Sequence, residues 1–421
     1  MSPTNDLTPL LANGHNAQPS FYRRTISVLK PEGEPSWTAS YHFFLFGSWL
    51  NILLIFVPLS FAAHFLKWDA ALCFSFSFIA IMPLAALLGT ATEQMSLKLG
   101  QTLSGLLNAS FGNAVEIIVG IAALLQGELR IVQTSMLGSI LSNLLLVLGC
   151  SFLAGGLKYP ESNFQVTAAQ TSSSLMTLAC LTLVIPAAYH SSKLPTGNDT
   201  TDALLITFDR MGSKISDLDD ESQKGLLTLS RGTAILLLIV YVVYLFFQLK
   251  THAYLYKDAH AEDEEGERSK MSVPAAASAL LLVTVVTSFC ADYLVASIEE
   301  TARRYSIPKP FIGLILLPIV SNAAEHVTSV WMALKNKMEL TIGICVGSSI
   351  QIAAFVIPLL VIVGWITGHN LTLFFANFET IVLFVSVLLV QFLVQDGKSN
   401  YMEGLMLIAL YLVIALAFWV S

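Results

Sequence analysis

Residues 112–116 read GNAVE and residues 321–325 read SNAAE, and both phrases interrupt long apolar runs. An ionisable side chain in such a run is costly and is as a rule functional, so Glu116 and Glu325 are the first candidates for chemistry. Asn113 and Asn322 each stand three positions before the glutamate, on the same face of a helix. Further on, GSILSN sets Ser139 and Ser142 three apart, and GSSIQ does the same for Ser348 and Gln351. All of these groups offer oxygen. Two carboxylates with amide, hydroxyl and backbone carbonyl oxygens suit a hard cation such as calcium, which takes about six to eight oxygen ligands. Nitrogen and sulfur ligands are scarce there, which disfavours zinc and copper.

One shift relates the two phrases. Moving along by 209 positions (325 − 116) lays Asn113 on Asn322, Glu116 on Glu325, Gly138 on Gly347, Ser139 on Ser348 and Ser142 on Gln351. One helix further, Gln170 falls on Glu379. Apolar runs match one another readily in Leu, Val and Ile. Polar positions that match at a single offset mark a duplication.

The elements that must position these residues are membrane helices. Of the 421 residues, 55% are hydrophobic and only 12% charged, with a mean hydropathy of +0.69, which excludes a soluble globular domain. A span takes about 20 apolar residues, and helices are the default in lipid because they satisfy their own backbone groups. The chain therefore reads as an all-α polytopic membrane protein. About eleven transmembrane helices are expected, near 43–65, 71–92, 104–125, 131–157, 169–189, 229–249, 274–298, 310–334, 340–366, 371–395 and 402–420. Residues 1–41 are polar and predict a cytosolic N-terminal tail rather than a cleaved signal. The span 43–65 is an extra first helix, which the family resemblance described below implies to be peripheral; 71–249 holds one five-helix repeat, 250–273 an acidic linker, and 274–420 the second repeat. Five is odd, so the second half enters from the opposite face. Inverted repeats place substrate near the midplane where the halves meet, and here they bring Glu116 toward Glu325.

With the N-terminus cytosolic, that side carries Arg23, Arg24, Lys30, Lys98, Lys158, Lys335, Lys337 and Lys398, and the far side Lys67, Arg130, Arg303, Arg304 and Lys309. The bias runs in the sense of the positive-inside rule. Sequons at Asn198 and Asn370 both fall on the far side. The five cysteines lie in apolar segments without C-x-x-C spacing and read as packed residues, not a disulfide framework or zinc site. No G-x-S-x-G, Walker A or aspartyl-phosphate motif occurs, so neither enzymatic chemistry nor ATP-driven pumping is expected. Glu93 in TATEQ and Asp292 within the seventh helix either line an access path or pair helices. Glu379 is a candidate for proton transfer. His326 points about 100° away from Glu325 on a helix. It reads as a packing or gating residue able to tune the pH response.

Two carboxylates in a low-dielectric pocket cannot both stay charged without a cation, so protons bind when the metal leaves. A site filled in turn by a divalent ion or by protons is the core of an exchanger. GNAVEIIVGIAAL with MLGSILSNLLLVLG, and SNAAEHVTSV with VGSSIQIA, resemble the two repeat signatures of the cation/proton exchangers of the calcium/cation antiporter superfamily, most closely the fungal vacuolar calcium/proton exchangers. The resemblance runs from about residue 43 to the end of the chain. It implies an eleven-helix fold and vacuolar loading of Ca2+ driven by the H+ gradient, with Mn2+ as a side activity. It also implies Glu116 and Glu325 as central ligands, Asn113 and Asn322 beside them, and Ser139, Ser142, Ser348 and Gln351 completing the polar lining. Glu262, Asp263, Glu264, Glu265 and Glu267 resemble that family's cytosolic acidic segment, which implies calcium sensing or attraction. Near the N-terminus, DLTPLL resembles an acidic dileucine sorting signal and agrees with a vacuolar address.

The implied partners are membrane lipid and the transported Ca2+ and H+. A homo-oligomer is compatible, with no cofactor and no nucleic acid. The rival of the same fold is a sodium/calcium exchanger, which usually wants an additional acid in the core; here the corresponding positions are Ser142, Asn143, Gln351 and Ile352. A calcium channel or leak is a further alternative, disfavoured because channels generally ring a pore with several subunits.

Overall fold

The computed structural model describes residues 35–192, 220–252 and 269–420. The acidic run 262–267, the Asn198 sequon and the DLTPLL stretch lie outside them. With no water to bond its backbone, the chain closes its hydrogen bonds within helices. Helices α1 (Trp37–Phe46) and α2 (Trp49–Phe65) meet at an 87° bend. The Asn51 amide ties that bend by donating to the Phe44 and Leu45 carbonyls at 3.0 and 2.9 Å. Helix α3 (Ala70–Phe111) is capped by Asp69, whose Oδ1 accepts from the Ala71 N–H at 2.9 Å. It is not one rod. Ser96 Oγ donates to Asn108 Oδ1 at 3.2 Å, whereas residues so spaced in a straight helix lie about 18 Å apart. The chain therefore doubles back between them.

After Gly112 the chain enters α4 (Ala114–Leu125), then α5 (Leu129–Lys158), whose middle widens into a π turn at Ser142–Val147. Strand β1 (Ser162–Asn163) leads to α6 (Val166–Ser192). Helix α7 (Asp220–Phe246) ends in a second π turn, Phe247–Thr251. Helix α8 (Val273–Tyr305) stops where Ser306 turns left-handed at φ 53°. Helices α9 (Lys309–Ser321) and α10 (Ala323–Leu334) are bent by 57° at Asn322. Helix α11 (Met338–Thr367) contains the π turn Ile352–Val356, and α12 (Asn377–Leu393), β2 (Lys398–Ser399) and α13 (Tyr401–Val420) complete the described chain. The antiparallel pair β1–β2 marks one face of the bundle. There Lys398 meets Glu161 at 2.6 Å, and that hydrogen-bonded carboxylate raises the lysine above its ordinary pKa.

Seven helices among the described residues are long and apolar enough to cross a membrane, or nine if each bent pair is one crossing. Helices α4 and α12 are apolar but shorter. The expected rods 104–125 and 310–334 are thus each broken, at Asn113 and Asn322. The expected span at 371 starts late because Gly368, at φ 79°, ends α11 and a loop follows. Helix bounds recur at the offset seen in the sequence. Both α4 and α10 have 12 residues and begin 209 apart (323 − 114). The segments after the central π turns, Leu148–Lys158 and Ile357–Thr367, have 11 residues each and begin 209 apart (357 − 148).

Helix α5 lies at the centre, with 72% of its apolar window buried against 17% for α7. It packs on α4, α9, α10, α11 and α13, while α3 and α8 run along each other and carry α2. Glycine sets the closest approaches. A Cβ on Gly138 would overlap the Leu314 carbonyl oxygen, and one on Gly313 the Thr134 hydroxyl, so α5 and α9 touch almost backbone to backbone. Gly404 of α13 does the same against the Leu153 amide of α5.

Candidate cation site

Asn113 and Asn322 occupy the N-cap positions of α4 and α10, yet neither side chain caps its own helix. Each reaches into the other half instead. Asn113 Nδ2 donates to Gln351 Oε1 at 2.5 Å, and its Oδ1 accepts from Ser348 Oγ at 2.8 Å. Asn322 Nδ2 donates to the Ser139 carbonyl at 3.2 Å, while its Oδ1 accepts from Ser321 Oγ at 3.3 Å. Ser139 and Ser321 hydroxyls stand 3.5 Å apart. The two halves are thus stitched by reciprocal polar contacts at one place.

The glutamates lie in the first turns of α4 and α10. Glu116 is buried and Glu325 half-buried. The two carboxylates act on each other, with Ser321 beside Glu116 and Ser348 and Asn143 beside Glu325. Two buried oxygens here lack a hydrogen-bond partner: Glu325 Oε2 and Asn143 Oδ1. Unpaired buried acceptors are costly and call for a reason; oxygens of this kind suit a hard cation. A narrow cavity beside Glu116 is lined by Ser135, Ser139 and Ser321 and walled by apolar residues of α3, α8 and α9.

Of the eight polar residues singled out in the sequence, Asn113, Asn322, Ser139, Ser348 and Gln351 are joined across the halves, Glu116 and Glu325 lie in the adjoining first turns, and Ser142 stands against Tyr411 of α13. Ser321 and Ser135 were missed, and Asn143 was noted only as a core position where a sodium/calcium exchanger would set an additional acid. Asn143 donates to Ser348 Oγ at 3.0 Å and is wholly buried. The 209-residue shift passes over it and Ser321 because their counterparts, Ile352 and Gly112, carry no side-chain oxygen. The secondary candidates stand elsewhere. Glu93 is exposed on α3, and Asp292 accepts from Gln126 Nε2 at 2.6 Å near the far end of α4. His326 is half-buried on α10. Buried Glu379 is clasped by both guanidinium nitrogens of Arg130, one at 3.0 Å, and accepts from the Ala376 N–H at 3.2 Å, capping α12. Among the described residues no cluster of three or more His, Cys, Asp or Glu forms a conventional metal cage.

Asn108 and Gly112 at the end of α3 are exposed and Gln351 is half-buried. Elsewhere Lys309 reaches Glu128 at 3.6 Å and Glu299 at 3.5 Å, Asp69 pairs with Arg304, and Gln126 holds Asp292.

Comparison with known proteins finds similarity along most of the chain. The sodium/calcium exchanger protein family matches residues 69–250 and 275–420. A vacuolar calcium ion transporter of Schizosaccharomyces pombe is 46% identical over 375 residues, covering 89% of this chain and 85% of that protein. A vacuolar cation/proton exchanger of Oryza sativa subsp. japonica is 41% identical over 379 residues, 88% of this chain and 81% of its own. The solved structure of native YfkE superposes with a TM-score of 0.72 at 33% identity, over 88% of this chain and all (100%) of that one. A crystal structure of the H+/Ca2+ exchanger CAX shares the fold at a TM-score of 0.60 and 11% identity, over 88% and 91% of the chains.

Proposed function

The chain belongs to the sodium/calcium exchanger protein family, and from that premise we propose that it is a secondary active antiporter that moves Ca2+ from the cytosol into the vacuole in exchange for H+. Relatives named vacuolar calcium ion transporter and vacuolar cation/proton exchanger support the cargo and the membrane. The observation that carries the reading is the reciprocal stitch: Asn113 bonded to Ser348 and Gln351, and Asn322 bonded to Ser139, with Glu116 and Glu325 in the first turns of the helices those asparagines begin.

In this reading Glu116 and Glu325 are the central ligands. Asn113, Asn322, Ser139, Ser142, Ser348 and Gln351 supply neutral oxygens, and Asn143 and Ser321 join them. Calcium arriving at the pair displaces protons; protons arriving from the other side displace calcium. The two cannot be held together, because either one already neutralises the carboxylates. Exchange then follows from exposing one pocket to each side by turns.

The architecture of the reading has eleven crossings: α1–α2, α3 to its reversal, the last turns of α3 with α4, then α5, α6, α7, α8, α9–α10, α11, α12 and α13. The first is peripheral; the others form two inverted sets of five joined by the acidic linker at 250–273. The matching helix bounds support the two sets; the N-terminus and the β1–β2 face are cytosolic in this reading, as the lysine and arginine bias supports.

The experiment is uptake of radiolabelled calcium by the purified protein in sodium-free liposomes under an imposed pH gradient. Saturable uptake that collapses with the gradient is expected. Uptake that requires a sodium gradient would make the chain a sodium/calcium exchanger instead, and non-saturating flux without any gradient would make it a leak.

A further inference from the structure

Helix α1 is surplus to the crossing it precedes. Helix α2 winds Trp49–Ile55 as a 3-10 helix and Phe56–Phe65 as an α-helix, about 29 Å in all at the usual rises. That length matches the roughly 30 Å of a hydrocarbon core. The ten residues of α1 meet it at 87° and add nothing to the span. We propose that α1 is a lipid-surface helix, lying in the interface of the leaflet on its own side, and that it pins the end of the acidic linker to the membrane. This holds whichever ion is carried, since it rests on the membrane reading alone.

The outward face of α1 suits lipid. Its sequence, WTASYHFFLF, holds no Asp, Glu, Lys or Arg. Phe46, Trp49 and Ile52 are 74%, 71% and 76% exposed, and exposed Leu45 and Ile55 continue the strip along both helices. A contiguous apolar strip of this kind marks a surface that something apolar covers. Here it runs without interruption into the bilayer-facing side of α2, so the cover is the same lipid. Tryptophan at the bend fits that depth, because its ring is apolar and its N–H seeks the headgroup level. An interfacial helix sinks its apolar face about 5–10 Å into that boundary.

The inward face holds the chain where it re-enters the bundle. Ser40 and Phe44 are buried. Ser40 Oγ accepts from the Ser272 N–H at 3.2 Å, and the Tyr41 hydroxyl lies 2.8 Å from Ser278 Oγ of α8. Lys270 Nζ stands 5.2 Å over the Phe43 ring. From the other side the Lys270 N–H donates to Gln94 Oε1 of α3 at 2.7 Å, and Met271 between the two contacts is fully buried. Residues 270–272 are therefore gripped between α1 and α3. The Asn51 amide, bonded to the Phe44 and Leu45 carbonyls, fixes the angle at which α1 leaves α2. A helix that rests on lipid thus sets the point at which the acidic stretch ends.

Two measurements on the full chain in lipid nanodiscs test this. The first reads depth by fluorescence. The Trp49 signal is the difference between the unaltered protein and Trp49→Phe, and Phe46→Trp adds a second reporter. Phosphatidylcholine brominated high on its acyl chains should quench both signals about twofold more than lipid brominated near the chain ends, and aqueous iodide should quench neither. Quenching by iodide would put the face in water. Quenching by nothing would put it under protein, such as a second copy of the chain, and equal quenching by both lipids would make α1 part of the span. Each of these overturns the surface helix. The second measurement reads the pin by tryptic cutting after Lys270. Phe46→Asp with Trp49→Asp should lift α1 from the lipid and speed that cut about tenfold, while cuts after Lys158 and Lys398 keep their rates. An unchanged cut after Lys270 would overturn the pin. If every cut speeds up, the variant has lost its fold, and Ser40→Ala, which removes only the acceptor of the Ser272 N–H, takes its place. A faster cut after Lys270 alone is then expected, and an unchanged one overturns the pin.

Discussion

Replacing Arg130 with alanine strands a carboxylate. Glu379 is 1% exposed, and its oxygens are served by the Arg130 guanidinium and by one backbone N–H, that of Ala376 at 3.2 Å. Removing one partner of a buried pair costs about 3–5 kcal/mol, because the remaining charge has no solvent to return to. The reverse change is milder. Arg130 is 39% exposed, so in Glu379→Gln its guanidinium turns to water or lipid headgroups, and the glutamine oxygen still caps α12. That substitution should cost about 1–2 kcal/mol, the scale of a lost charge-assisted hydrogen bond. The two single variants thus differ by roughly 2 kcal/mol, about 30-fold in the unfolding equilibrium. The double variant Arg130→Ala with Glu379→Ala should be more stable than Arg130→Ala alone, since no charge is left buried. Denaturant titration of the purified variants in detergent measures all three, with calcium uptake assayed in parallel. Arg130→Ala no less stable than Glu379→Gln, or a double variant as weak as Arg130→Ala, would refute the buried-charge reasoning. A proton-carrying role for Glu379 demands that Glu379→Gln stay folded and lose pH-driven uptake; a structural clasp leaves uptake near the unaltered level.

Glu116→Gln and Glu325→Gln should each abolish calcium exchange while leaving the protein folded, and calcium binding at unaltered affinity in either variant would remove that residue from the ligand set. On the proposed reading, in which calcium and protons compete for the pair, acidifying the binding side should weaken apparent calcium affinity, by up to about 100-fold per pH unit where both carboxylates titrate. Glu116→Gln should reduce that slope to about tenfold wherever binding persists, which calcium titration across a pH series reads directly. Gly404→Ala puts a methyl group into the Leu153 backbone and should cost about 1–3 kcal/mol of stability by forcing α13 off α5. Gly89→Ala, with no atom within 4 Å of the new carbon, is the matched control and should be neutral or slightly stabilising in the same melt.

The polar cluster was legible in the sequence because oxygen-bearing side chains stand out against an apolar background, and the 209-residue shift picked out those duplicated in kind. Ser321 escaped, and Asn143 was not offered as a ligand, for the complementary reason: their counterparts are apolar or lack a side chain, so duplication is silent about them. The helix breaks were not anticipated either. Spacing put Asn113 and Glu116 on one continuous face, whereas the asparagine ends one helical segment and the glutamate begins the next. One signal was present in Gly112, a poor helix former next to Asn113; Pro318 lacks the N–H that would bond the Leu314 carbonyl, beside the π turn Ile312–Leu316. The π turns left no trace in a reading based on a 3.6-residue period. Nor could local pattern reveal Arg130, 249 positions from Glu379 in the chain.

Helices α4 and α10 both start at the same centre, each with a glutamate in its opening turn. The aligned peptide dipoles of each present roughly half an elementary positive charge at that end. Roughly one of the two negative charges is therefore offset before any ion arrives. A carrier gripping a divalent ion with two unmoderated charges in a greasy interior would load once and stall. On the proposed reading, the backbone softens its own attraction and keeps the cargo exchangeable, and turnover becomes a property of where two helices begin.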